Sequence, residues 1–354
     1  EIRPTHKFQK FHIIVLIVVV VSVGAVAWWY FDPSDSSFLG RSAGQKQQEP
    51  TLPAINGTLV TPALAQSRPI GVMIENSPES RPQSGLAEAD IIYETVAEGG
   101  ITRFLAIYQS QSPENIGPVR SARDYYAQLA DEWGVLYAHV GGSDEVLAQL
   151  SAGKYKKVDD ANQFSYGSYF SRVTSRPAPH NVYTSIEKLQ EIIKDKGFDD
   201  FANFEPWQFA ADAPAGEITP TLNAGSITIK FSGPLFDVKY MYDEATKKYN
   251  RFAATKPHLD AETKKQLTAD TIIVQYVPIT ATPDDLKARV DIGLVGQGKA
   301  FIFHNGIAIQ GQWKKTGKDT RTRYYDADGK ELTLAPGKIW IELTNAGTMT
   351  YQPP

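Results

Sequence analysis

PIGVMIE (69–75) is a short apolar run that reads as a buried strand, and DIIYETV (90–96) and TRFLAIYQ (102–109) have strand composition too. The next segment decides the first half of the chain. SARDYYAQLADEW (121–133) places Tyr125, Leu129 and Trp133 four apart, with Tyr126 and Ala130 beside them, which is the spacing of one helix face. This aromatic stripe reads as the core-facing side of a helix. GVLYAHV (134–140) predicts another strand and Gly141-Gly142 a turn. Ser143 then caps a helix over DEVLAQLS, whose acidic first turn suits the helix dipole. Thr184 or Ser185 caps a further helix, IEKLQEIIKDKG, ending at Gly197. Residues 68–210 therefore read as a mixed α/β domain.

The pattern changes after AADAPAGEITP (210–220), a run of small residues with two prolines. SITIKF (226–231), FDVKYMY (236–242), KKYNRF (247–252), DTIIVQYV (270–277), KAFIFHN (299–305), IAIQGQW (307–313), RTRYYD (321–326) and KIWIELT (338–344) alternate or are β-branched and aromatic. Asn305-Gly306 and Asp328-Gly329 are strong hairpin signals. Residues 221–354 are expected to form a mostly antiparallel β domain, giving an α+β chain.

Ahead of these halves lies IIVLIVVVVSVGAVAWWYF (13–31), without a charged residue. Its 19 residues span about 28 Å as a helix, close to the hydrocarbon thickness of a bilayer. Trp28, Trp29 and Tyr30 stand at one end, as in an interfacial aromatic belt. Arg3, Lys7 and Lys10 precede the run, while Asp32 and Asp35 come after it. The positive-inside rule puts residues 1–12 in the cytoplasm and everything after Phe31 outside. A cleaved signal peptide would have a shorter apolar region and a small-residue cleavage site, whereas Ala25-Val26-Ala27 is followed by Trp28. The expectation is an uncleaved single-pass anchor. Residues 32–67, rich in Ser, Gly, Pro and Gln, read as a flexible tether.

The chain has 354 residues, no cysteine and a formal charge of −4. No disulfide framework, thiolate metal site or Cys nucleophile is available within it, and no basic field for nucleic acid is visible. His6, His12, His139, His180, His258 and His304 show no metal-ligand spacing. Neither metal nor cofactor is expected. No G-x-S-x-G elbow is present, and DADGKE (326–331) is too short for a calcium loop.

Polar residues gather near the strand ends of the first half. Glu75, Glu94 and Glu98 are candidate acids or bases, together with His180. Arg103, Arg120, Arg123, Arg176, His180 and Asn181 are candidate ligand-binding residues. Arg120 and Arg123, three apart at the start of a helix, are expected on one face. Arginines beside a helix N-terminus suit a phosphate or carboxylate. The alternative is that they pair with Glu75, Glu94, Glu98 and Asp124 and fasten loops, which charge counts favour. His180 lies in a loop, as a base, a ligand donor or a residue bonded to nearby backbone. His139, within a predicted buried strand, reads as a core histidine.

RPIGVMIENSPESRPQSGLAEADIIYETVAEGGITRFLAIYQS, IGPVRSARDYYAQLADEWGVLYAHVGGS and RPAPHNVYTS resemble the YerB-like family of bacterial envelope proteins. ADTIIVQYV, GKAFIFHNGIAIQGQWKK and YYDADGKELTLAPGKIWIEL resemble that family's C-terminal part. The resemblance implies a two-part extracytoplasmic protein and no particular activity. Many members look like lipoproteins with an N-terminal Cys; this sequence carries the apolar run 13–31 instead. The expected function is a tethered module that binds an anionic cell-wall polymer or an envelope protein. The alternative is an enzyme acting on a wall glycan, peptide or lipid-linked phosphate. Two facing carboxylates would favour the enzyme, and glutamates closed by arginines would weaken it.

Overall fold

The computed structural model describes residues 51–211, 222–283 and 285–353. The expected cytoplasmic tail, the transmembrane helix (13–31) and the tether as far as residue 50 lie outside these residues, as does most of the expected boundary at 210–220. Among the described residues no helix is long and apolar enough to cross a membrane.

The three opening segments form β1 (Ile70–Glu75), β2 (Ile91–Val96) and β3 (Thr102–Tyr108), each buried along its whole length. β4 (Leu136–His139) and β5 (Asp159–Asn162) come next. The second half supplies β6 (Ser226–Ile229), β7 (Val238–Asp243), β8 (Lys248–Ala253), β9 (Thr271–Tyr276), β10 (Gly296–His304), β11 (Ile307–Lys315), β12 (Arg323–Tyr325), β13 (Ile339–Thr344) and β14 (Met349–Gln352). The longer helices are α1 (Asp124–Trp133), α2 (Asp144–Ser151) and α3 (Ile186–Lys196).

One sheet of 11 strands runs through both halves, in the order Leu222–Asn223, β11, β10, β9, β13, β2, β3, β1, β4, β5, with β12 beside β11. β13 pairs with β2 in parallel, Ile339 opposite Ile91 and Glu342 opposite Glu94. The halves thus share one sheet, and the described residues make up one compact unit. The second half is less uniformly antiparallel than expected, because β9 also runs parallel to β13. Both strands are near-continuous apolar runs, as strands covered on both faces must be. A smaller antiparallel sheet has the order β8, β7, β6, β14, with two short strands beside β8.

Alternate residues of the large sheet face two layers. Ile74, Ile92, Phe104 and Trp340 pack against Leu189 and Ile192 of α3 and against Tyr240 and Tyr249 of the smaller sheet. Met73, Tyr93, Leu105 and Ile341 pack against Tyr126, Leu129 and Trp133 of α1, so the aromatic stripe is core. Local signals act as read. Ser143 Oγ accepts from Val146 N–H at 3.4 Å, and Ser185 Oγ accepts from Lys188 N–H at 3.2 Å. Asn305 (φ 49°) and Gly306 (φ 74°) make the two-residue turn between β10 and β11.

The end of the expected tether is a correction. Leu52–Pro53 pairs with Leu59–Val60, Pro62–Gln66 is helical, and Ile55 is fully buried. Its few apolar residues concealed how its polar backbone is satisfied. Ile55 N–H donates to Gln109 Oε1 at 2.9 Å, and Gln109 Nε2 donates to Ala65 O (3.0 Å) and Ser67 O (2.7 Å). Asn56 Nδ2 donates to Asp90 Oδ1 at 2.8 Å.

Candidate functional site

Glu75 ends β1, where the apolar run gives way to a carboxylate. The segment 117–120 crosses this strand end: Glu75 N–H donates to Pro118 O at 3.0 Å and Arg120 N–H to Met73 O at 2.8 Å. The strap lies close against Val182, since a Cβ on Gly117 would sit 2.8 Å from Val182 O. Val119 N–H donates to Val182 O at 2.7 Å and Val173 N–H to Asn181 O at 2.9 Å, which brings the 173–181 loop over the strand end. Arg176 fastens that loop by donating to Glu79 O (2.9 Å) and Pro82 O (2.7 Å). Asn181 accepts from Arg172 at 2.9 Å through Oδ1.

These contacts place Glu75 between two basic side chains. Oε1 lies 3.1 Å from Arg120 Nε and Oε2 lies 2.8 Å from His180 Nδ1. The Glu75 side chain is 4% exposed, that of Arg120 24% and that of His180 18%. The carboxylate assigns the proton to Nδ1 and leaves the lone pair on Nε2. Among the described residues, neither His180 Nε2 nor the terminal NH2 groups of Arg120 have a hydrogen-bond partner. Ser77 Oγ stands 3.5 Å from Nδ1, the nitrogen already held by Glu75, so the three residues do not form a nucleophile–base relay.

Arg103 and Arg123 gather around a different carboxylate. Glu98 Oε1 is 3.1 Å from Arg103 and Oε2 is 2.9 Å from Arg123 Nε. Burial pushes the Glu98 carboxyl up, but the two guanidiniums outweigh it and hold the group at about 2. The expectation that Arg120 and Arg123 share a helix face is corrected. Arg120 N–H and C=O bridge Met73 and Val140 in extended backbone, ahead of α1, and the two guanidiniums point to different glutamates. Beside Glu98 lies a cavity of about 350 Å³ lined by Glu98, Asp124, Glu145, Asp291, Arg123 and Arg289. Four carboxylates against two guanidiniums make it a poor place for an anion.

Glu94 is not at a surface. Its Oε1 accepts from Asn76 Nδ2 at 3.0 Å and its Oε2 pairs with Arg251. Arg251 also donates to His258 Nδ1, His258 Nε2–H donates to Gln83 Oε1 at 2.8 Å, and Gln83 Nε2 donates to Asn76 Oδ1 at 3.0 Å. The five side chains close a ring, all of them buried. Its directions agree only with a neutral His258, and burial, with the neighbouring Arg251 charge, holds this imidazole well below its ordinary pKa. The Arg251 guanidinium lies 4.3 Å from the Trp340 ring centroid, with Phe104 and Tyr240 flanking it. Tyr240 OH donates to Glu342, whose carboxyl is pushed well up by burial and by Glu94.

Arg251, His258, Tyr240 and Glu342 escaped the sequence reading. A partial signal was present: Glu342 stands inside the apolar run KIWIELT, and Arg251 alternates with Tyr249 and Ala253 on one face of its strand, where an ion needs a partner. His139 is a core residue, with Nδ1 2.7 Å from Gly141 O and Nε2 2.6 Å from Asp160 Oδ1. Among the described residues, no group of three acidic or histidine side chains is placed to hold a metal ion.

Residues 56–199 match the family described as "Protein of unknown function (DUF3048) N-terminal domain", and residues 227–341 match its C-terminal domain. The chain is 34% identical over 296 residues to the Bacillus subtilis protein named "Putative lipoprotein YerB", covering 82% of this chain and 85% of that protein. The crystal structure of YerB protein from Bacillus subtilis superposes with a TM-score of 0.76 at 31% identity, covering 86% of this chain and all of that one. The chain belongs to the two-part YerB-like family.

Proposed function

We propose that this protein is an extracytoplasmic envelope module, tethered through residues 13–31, that binds an anionic cell-wall polymer or an envelope partner. Its relative's name as a lipoprotein supports an envelope setting. One observation carries the choice of binding over catalysis. Glu75, Glu94 and Glu98 are each paired with basic side chains of the chain itself, so none of these three candidates is a free acid or base. Among the candidate residues, Arg120 and His180 keep unused hydrogen-bonding capacity at the surface. An enzyme is the second reading, favoured by a histidine oriented by Glu75 with its far nitrogen open.

The test is co-sedimentation of residues 50–354 with isolated wall sacculi, with mass spectrometry of the supernatant. Binding without released fragments is expected. Fragments in the supernatant would establish the enzyme reading, and neither binding nor release would overturn wall binding in favour of a protein partner.

A further inference from the structure

The geometry points to a polyol or sugar phosphate as the ligand of the Arg120–His180 edge, an inference that deepens the binding reading and rests on it. Glu75 holds both groups at once, one on each carboxylate oxygen, so they flank one carboxylate. Arg120 offers its terminal NH2 groups as donors, the planar edge that meets phosphate oxygens. His180 offers the opposite chemistry. With its Nδ1 proton committed to Glu75, Nε2 is an acceptor and requires a donor from the ligand. A bare anion satisfies only the first. A phosphate ester with a neighbouring hydroxyl satisfies both, the phosphate on Arg120 and the hydroxyl donating to Nε2. The frame is rigid, because Arg176 and Asn181 fasten the loop that carries His180 and the buried ring anchors Gln83, which donates to Glu75 O at 2.9 Å.

The two sources of this chemistry are a phosphodiester polymer of the wall and a glycerol-type phospholipid headgroup. The experiment titrates the full chain, in uncharged detergent micelles, with glycerol 3-phosphate and with n-propyl phosphate, which lacks the hydroxyls. Glycerol 3-phosphate is expected to bind the wild type about 10-fold more tightly than propyl phosphate, the worth of one good hydrogen bond. His180→Phe should remove that difference while leaving propyl phosphate binding unchanged. Arg120→Lys, which keeps a cation on Glu75, should weaken both ligands, and thermal unfolding checks that each variant is folded. Equal binding of both phosphates by the wild type, or binding unaffected by either substitution, overturns the inference. Co-sedimentation with intact sacculi and with sacculi stripped of phosphate polymers, and competition by phosphatidylglycerol-doped micelles, assign the source. Sacculus binding that ignores both substitutions sinks this inference and leaves wall binding standing. Glycerol phosphate binding without sacculus binding does the reverse.

Discussion

Glu94 on β2 stands directly opposite Glu342 on β13, and both carboxyl groups are sealed from solvent. Two carboxylates cannot both ionise there, and one guanidinium, Arg251, serves the pair through Glu94. The Glu342 carboxyl is raised well above its ordinary value, first by burial and then by Glu94. The folded state therefore keeps a proton that the unfolded chain releases near pH 4.5. Stability from this group is fully present below that pH and is lost as pH rises towards the folded pKa, at up to about 1.4 kcal/mol per pH unit. Glu342→Gln keeps a neutral side chain beside Tyr240 and should flatten this part of the stability profile. Urea unfolding across a pH series measures it, and identical slopes in the two proteins would refute a neutral Glu342.

Glu98 gives the opposite sign. Its carboxyl is held at about 2 by Arg103 and Arg123, against an ordinary value of 4.5. Its stabilisation is complete above pH 4.5 and disappears as pH falls towards 2. Allowing for its partial exposure, about 2 kcal/mol is at stake. Glu98→Gln should be less stable than the wild type at neutral pH and should converge with it near pH 2. A gap that persists at low pH would assign the loss to packing.

Removing Arg251 should be among the costliest single changes. Arg251→Met leaves the buried Glu94 carboxyl without its counter-charge, a loss of about 3–5 kcal/mol. Adding Glu94→Gln should recover much of it, because the stranded charge is gone. Equilibrium denaturation of the single and double variants decides this, and additive losses would mean that the two residues do not act as a pair.

The stretch read as tether supplies a further test. Ile55 is fully buried in the core shared with Tyr126 and Trp133. Ile55→Ala should cost about 2–5 kcal/mol. An unchanged melting temperature would return the segment to the tether.

How much of the fold was legible depends on the range of each signal. The caps at Ser143 and Ser185, the turn at Asn305-Gly306 and the stripe on α1 are set by residues within a few positions of one another. β2 and β13 were legible as strands from their β-branched and aromatic residues, but composition cannot name a partner. Hence two domains were expected where a single sheet joins the halves. At the site, the pairing of arginines with Glu75 and Glu98 was foreseen, and Arg251 as the partner of Glu94 was not. Arg120 and Arg123, three residues apart, separate because extended backbone precedes α1. The ring around Glu94 draws on residues from Asn76 to His258, and no local pattern joins segments so far apart.

The pairing of β2 with β13 also sets a clock for the newborn chain. Thr95 Oγ1 donates to Leu343 O at 2.8 Å, across 248 positions of sequence. At a synthesis rate of about 5–20 residues per second, roughly 10–50 s separate the two strands as they leave the ribosome. For that interval β2 presents an open hydrogen-bonding edge in an apolar strand, which is a template for association with other chains. The distance along the gene between these two strands therefore fixes how long each new molecule must be kept apart from its neighbours.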